Sequence, residues 1–177
     1  MTAAGKDEDK IDDCLVCREI TGEIEVPGGF VLENDELVAF HLPPLNSVTG
    51  TTRPYLGHLL IVTRRHVAAL WSLTPDESAA VGRAASRVSL ALTSAAGAEW
   101  VYAAVIGTAV PHFHLHLLPR YPGTPEGVLW YEVDEWEGSV HGDASEVGEL
   151  AARIRDSLCS SDLVLDDRSS KPPVSPY

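Results

Sequence analysis

Between Pro111 and Arg120 three histidines alternate with apolar residues: His112, Phe113, His114, Leu115, His116, Leu117. In an extended strand successive side chains point to opposite faces, so His112, His114 and His116 share one face while Phe113, Leu115 and Leu117 share the other. The stretch therefore demands a sheet with one face for core and one for chemistry. The chain holds seven histidines, and three imidazoles crowded on one surface need a reason. Two chemistries supply one. Alternate histidines can ligate a metal, with further ligands coming from elsewhere. Alternatively one imidazole is a nucleophile, its near nitrogen held by a backbone carbonyl and its far nitrogen left unprotonated toward an electrophile. Position selects His114 for that role.

The elements around this stretch follow from period and punctuation. A short helix is expected over Cys14 to Ile20, capped by Asp12 or Asp13 and ended by Thr21-Gly22. It carries Cys14-x-x-Cys17, which is open to three readings: a redox dithiol, two of four zinc ligands, or coincidence. Val31 to Glu33 and Glu36 to Phe40 read as a hairpin around Asn34-Asp35. Leu42 to Leu56 is a long Pro-, Ser-, Thr- and Gly-rich loop, expected to overhang the site or a neighbouring subunit. Gly57 to Thr63 is continuously apolar apart from His58, which predicts a strand buried on both faces with His58 as a satisfied core histidine. Thr74-Pro75-Asp76-Glu77 starts a helix that runs to about Ala96. Glu99 to Ile106 and His112 to Leu118 then read as adjacent antiparallel strands. The order of helix, hairpin, strand, helix and two strands is that of an α+β fold, helices packed on an antiparallel sheet.

The 177 residues suit one domain that needs no disulfides. Residues 1–12 are charged and nearly free of apolar side chains, a disordered lead-in; 13–160 form a single domain with core 14–121 and extension 122–160; 161–177 form a flexible tail. With no spanning segment and no signal pattern, a cytoplasmic protein that does not enter membranes is expected. A formal charge of −13 argues against nucleic acid as a partner but leaves room for a small phosphorylated ligand. Glu126 to Glu149 holds eight acids and no Lys or Arg, and reads as a solvated acidic face with its tryptophans packed inward. Trp130, Tyr131 or Trp136 covering the site is the functional alternative. Ser145 to Cys159 is an amphipathic C-terminal helix with Val147, Leu150, Ala151, Ile154 and Leu158 on one stripe.

From Cys14-Leu-Val-Cys17 through Leu37-Val-Ala-Phe40, Gly57-His-Leu-Leu-Ile-Val62, Arg65-His66, the alternating histidines and Pro119-Arg120, the chain resembles the histidine triad (HIT) family of nucleotidyl hydrolases and transferases, over residues 14–121. The resemblance implies a HIT-like fold with a short N-terminal helix, one long helix and here a C-terminal helical extension. It implies cleavage of a nucleoside 5'-phosphate derivative through a nucleotidyl-histidine on His114, with His116 orienting the nucleophile or bonding a phosphate oxygen. Leu15, Val16 and Phe40 would line a base pocket, Leu42 would stand at the ribose position, and Gly107 and Thr108 would border the phosphate. In the zinc-bearing branch Cys14, Cys17, His66 and His112 would hold a structural Zn2+, and a homodimer would form through the long helix and the strand Glu99 to Ile106.

Several positions depart from the family pattern. Leu42 replaces an acid that holds ribose hydroxyls, Ala109 a serine or threonine, Thr108 a glutamine, and Val101 an asparagine. Each missing neutral contact is worth ~1 kcal/mol and a charge-assisted one more. Two alternatives follow: a nucleotide-binding or partner-binding protein with little turnover, and a metalloenzyme with its metal on the histidine row.

Overall fold

The structure, a computed structural model, describes residues 14–44, 52–107 and 109–165. Its elements are α1 (Leu15–Thr21), β1 (Leu32–Glu33), β2 (Leu37–His41), β3 (Leu59–Thr63), α2 (Pro75–Ala96), β4 (Trp100–Ala104), β5 (His114–Arg120) and α3 (Ala144–Leu165). The five strands form one antiparallel sheet in the order β1-β2-β3-β5-β4, the α+β arrangement expected.

Local chemistry explains the element ends. At α1 the cap is Cys14 rather than an aspartate: its sulfur accepts the Cys17 N–H at 3.5 Å, and Gly22 ends the helix at φ 80°. Asp12 and Asp13 lie outside the described residues. Asn34 makes the hairpin turn by accepting the N–H groups of Glu36 and Leu37, both at 2.9 Å. Thr74 and Glu77 close the anticipated capping box of α2, Thr74 Oγ1 taking the Glu77 N–H and Glu77 Oε2 the Thr74 N–H. Arg65 then grips the Glu77 carboxylate through two nitrogens at 2.9 and 2.6 Å, tying β3 to the start of α2.

One sheet face is wholly core. Leu37, Ala39, Leu59, Ile61, Phe113 and Leu117 pack against the small-residue stripe Ala80, Ala84, Val88 and Ala91 of α2. The α3 residues Leu150, Ala151, Ile154 and Leu158 join the same cluster, as their spacing predicted. Residue 28 must be glycine, because φ is +77° and a Cβ there would meet Ala151 Cβ at 2.6 Å. Arg155 of α3 donates to the carbonyl oxygens of Gly28 and Phe30, locking the helix to the segment before β1. The backbone of α3 continues to Leu165, beyond the expected domain end at 160. No helix among the described residues is long and apolar enough to cross a membrane.

The acidic segment after β5 corrects an expectation. Val133 and the partly buried Val128 turn inward against Tyr55 and Leu118 and Trp136 is half-buried, while Trp130 remains 41% and Tyr131 54% exposed. The segment is held by its backbone: Arg120 donates to the carbonyls of Thr124, Pro125 and Val128. Of the long loop, residues 45–51 lie outside the described residues; Tyr55 is buried and donates its hydroxyl to the Pro119 carbonyl.

Candidate functional site

The opposite sheet face carries the histidines. Register places Val62 beside His114 and Leu60 beside His116, with Val38 and Phe40 next on β2 and Ala104 on the β4 side. Two apolar clusters flank the row on this face: Val16, Val38, Phe40, Leu42, Leu60 and Val62 under α1, and Leu118, Tyr55 and Val133 toward β4. The imidazoles of His114 and His116 are partly exposed between them.

Hydrogen bonds decide which nitrogen of each ring carries the proton, since a carbonyl oxygen only accepts. His114 Nδ1 lies 2.6 Å from the His112 carbonyl and must donate, so Nε2 keeps its lone pair. His112 Nε2 lies 2.7 Å from the Thr63 carbonyl and donates, leaving Nδ1 as the free donor atom. His116 Nδ1 meets His58 Nε2 at 2.9 Å, and the His114 and His116 rings stand edge to face with centroids 4.9 Å apart. Burial pushes His116 down to about 4, helped by His114, and pushes His58 down to about 3, helped by His116, His41 and His114. Both are neutral at physiological pH.

His58 is the satisfied core histidine that its apolar strand suggested, and the partner that satisfies it is a histidine of the row. Residue parity held the signal: His58 lies two places before Leu60, which pairs with His116, so it shares the row's face. That inference needs the strand pairing, which the sequence does not state. His41 was missed altogether; buried on the core side, it donates Nδ1–H to the Leu42 carbonyl at 2.8 Å and accepts the Gly57 N–H on Nε2 at 2.9 Å.

His112 stands just outside the ladder, because β5 begins at His114 and the Phe113 N–H goes to the Val67 carbonyl instead of to a strand. Its ring turns to a second group. The donor atoms of Cys14, Cys17, His66 and His112 all lie within 4.8 Å of one another. His112 Nδ1 is 3.4 Å from each sulfur, and His66 Nδ1 is 3.3 Å from Cys17. Tetrahedral zinc with sulfur at ~2.3 Å and nitrogen at ~2.0 Å separates the two kinds of donor by about 3.5 Å, so the cluster has the shape of such a site. Burial, with Cys14 beside it, pushes the Cys17 thiol up to about 12; a bound dication would oppose that by favouring thiolate. Among the described residues no other group of three or more His, Cys, Asp or Glu donors converges in this way.

The remaining expected residues divide. Val16, Phe40 and Leu42 meet in one apolar cluster with Phe30, whose ring lies 6.0 Å from that of Phe40. Leu15 is half-buried, and Leu42, 8% exposed, brings no polar group to its position. Gly107 is half-buried at φ 63°, Ala109 is exposed, and Val101 packs toward the core face. Thr108 lies outside the described residues.

Comparison with known proteins agrees with this geometry. A HIT domain family model matches residues 23–123, more than half of the chain. An uncharacterized HIT-like protein of Methanocaldococcus jannaschii is 30% identical over 125 residues, covering 68% of this chain and 88% of that one. The bifunctional bis(5'-adenosyl)-triphosphatase/adenylylsulfatase FHIT of Arabidopsis thaliana is 33% identical over 95 residues; the match spans 50% of this chain and only 53% of the plant protein. Among solved structures, a zinc-bound histidine triad family protein from Mycobacterium smegmatis superposes with TM-score 0.64 at 20% identity, covering 87% of this chain and 99% of that one. A hypothetical histidine triad nucleotide-binding protein from Sulfolobus tokodaii gives TM-score 0.66 at 21% identity over 89% of this chain and 100% of its own. At such identities these two matches speak for the fold alone. With alternating histidines on a central strand, the fold that presents them and a matching domain model, the chain belongs to the histidine triad family.

Proposed function

We propose that the chain is a nucleotidyl hydrolase or transferase that cleaves a nucleoside 5'-phosphate derivative, a phosphoramidate, acyl phosphate or dinucleoside polyphosphate, through a nucleotidyl-histidine on His114. The carrying observation is the 2.6 Å bond from His114 Nδ1–H to the His112 carbonyl, which leaves Nε2 as a lone pair on a partly exposed ring. Nε2 attacks the α-phosphorus; the P–N bond forms as the bond to the leaving group breaks and that group takes the electron pair. Water then attacks phosphorus, the P–N bond breaks with its electron pair returning to Nε2 to give the neutral imidazole, and the proton shed by the attacking water passes to solvent. His116, with Nδ1 bound to His58, keeps Nε2 for a phosphate oxygen or the leaving group. In this reading Leu15, Val16, Phe40 and Leu42 would line the nucleoside side, and Gly107 and Thr108 would border the phosphate. The activity named for the Arabidopsis relative, on a bis-adenosyl triphosphate and an adenylyl sulfate, supports a nucleotidyl anhydride or a related derivative.

The metal of this reading is zinc on Cys14, Cys17, His66 and His112. Four protein ligands leave no open position for water, so it is structural, and no step passes through it. That assignment also withdraws His112 from a catalytic metal on the row. A second reading, a nucleotide-binding or partner-binding protein with little turnover, is favoured by one observation: Leu42, where the family resemblance expects an acid for the ribose hydroxyls, is a buried apolar side chain.

Incubation with nucleotides labelled at the α-phosphorus, followed by alkaline denaturation, tests the reading. Acid-labile label on histidine, absent in His114→Ala, is expected with at least one of the three substrate classes. Binding without label on any of them overturns hydrolysis in favour of the second reading.

A further inference from the structure

Away from the histidines, where the segment after β5 meets the helices, a cavity of about 300 Å³ is lined by Leu56, Ala96, Tyr121, Val140, Leu150 and Arg153. Leu150, 3% exposed, lies at its floor, while Val140, 50% exposed, and the exposed Arg153 stand at its mouth. Leu56, Ala96 and Tyr121 pack against the helix-side core, so the cavity belongs to the face opposite His114 and His116. Tyr121 follows the end of β5, roughly 17 Å along the strand from His116 at ~3.4 Å per residue. Val140, Leu150 and Arg153 lie beyond the residues 23–123 that match the HIT domain, so the wall they build belongs to this chain's extension.

The cavity carries a single charge. Arg18, Arg53, Arg64 and Arg65 meet carboxylates, and Arg120 and Arg155 donate to carbonyls. Arg153 has neither a hydrogen bond nor an ion pair among the described residues. Helical spacing puts Glu149 one turn before it and Asp156 one turn after it, yet it pairs with neither. Its guanidinium instead acts on Tyr121, whose hydroxyl burial pushes up to about 12 while Arg153 pulls the other way. The Tyr121 wall is fixed in advance: the hydroxyl donates to the Leu56 carbonyl at 2.9 Å, and the ring stands edge-on to Tyr55 with centroids 5.8 Å apart.

We propose that this cavity binds a small free monocarboxylate with an apolar body, its carboxylate on the Arg153 guanidinium and its body against Leu56, Tyr121 and Leu150. A planar guanidinium takes a carboxylate through two parallel hydrogen bonds. One cation suits one negative charge; a phosphate dianion would need donors that the apolar walls lack and would face Glu149 and Asp156. At ~30 Å³ for each water-sized group, the cavity holds on the order of ten non-hydrogen atoms, the size of octanoate or hydrocinnamate. The apolar body is withdrawn from water while the charged end stays at the mouth, the usual arrangement of a small-molecule site.

Octanoate and hydrocinnamate are titrated into the full chain, and binding is read by ligand-observed NMR and by calorimetry. At least one of the two acids should bind saturably, and octanol about tenfold or more weaker, the loss of one charge-assisted contact. Inorganic phosphate should not compete, and neither should AMP. Arg153→Gln should weaken the acid by a similar factor and leave octanol unaffected, Arg153→Lys should fall between, and Val140→Trp at the mouth should block both ligands. All three changes are at exposed positions, and melting curves that match the parent show that the fold is kept. Absence of saturable binding by either acid, an Arg153→Gln or Val140→Trp chain that binds the acid as the parent does, or competition by phosphate would each overturn the proposal. So would displacement by AMP, which would place the acid at the histidines, or an affinity that falls as chain concentration rises, which would give the cavity to a second copy.

Discussion

The two faces of the one sheet differ in kind. On one, Leu59, Ile61, Phe113 and Leu117 are 0 to 1% exposed and pack in one apolar cluster with residues of α2 and α3, with His41 buried across from Leu59. On the other, alternate residues of the same strands bring His58, His114 and His116 into contact, while His112 turns to two thiols. The face packed by helices is bound by volume, where any well-fitting hydrophobe serves. The histidine face is bound by direction, because each ring is fixed through a named nitrogen. A strand two residues in period can serve both because neighbours along it never share a surface.

The sharpest break in this comparison is His114→Ala. It should lower turnover by at least about a thousandfold, as expected for a removed nucleophile, with metal content unchanged and melting shifted only slightly. Calorimetry beside a turnover assay checks it, and wild-type turnover would remove His114 from the mechanism. Next is His112→Ala, which takes one imidazole from the metal cluster and opens a buried space. Metal content should fall and the chain should melt early, losing ~2–4 kcal/mol. Metal analysis that finds full occupancy would count against the ligand set.

On the packed face, Leu117→Ala should cost ~2–5 kcal/mol in denaturant unfolding while the purified protein keeps its metal stoichiometry. A loss of metal there would mean the faces are not independent. Acid should probe the other side. Burial of His41, His58 and His116 lowers each folded pKa, to about 4, 3 and 4, below the unfolded value of ~6.5. The unfolded chain then binds more protons between those values, so stability is full above ~6.5 and declines as pH falls toward 4, by up to ~1.4 kcal/mol per pH unit for each group. Urea midpoints at pH 7.5, 6 and 5 check this; a flat profile across that range would contradict the neutral buried rings.

The smallest effect concerns the sheet edge. Strand β4 has no partner beyond it among the described residues, and Trp100, Val105 and Ile106 are 55, 39 and 55% exposed. We propose this edge, with α2, as the face of a homodimer. Ile106→Asp should yield a monomer in sedimentation at micromolar concentration, with monomer stability changed by no more than ~0.5 kcal/mol. A wild-type chain that already sediments as a monomer would dispose of the dimer.

Much of this was legible in the residues because it depends on local rules. Alternation assigned opposite faces to His114 and Leu115, the Thr74 to Glu77 box marked the start of α2, and the stripe from Val147 to Leu158 marked the buried side of α3. Each is set by the geometry of one strand or one helix turn. What remained hidden depends on residues far apart in sequence. His58 joined His116 only because β3 and β5 pair, 58 positions separating the two rings, and His112 could leave the row only because Thr63, Cys14 and Cys17 were brought to it. Period shows which face a side chain takes, but the partner that fixes its proton or its metal comes from another element, and only the tertiary fold chooses that element.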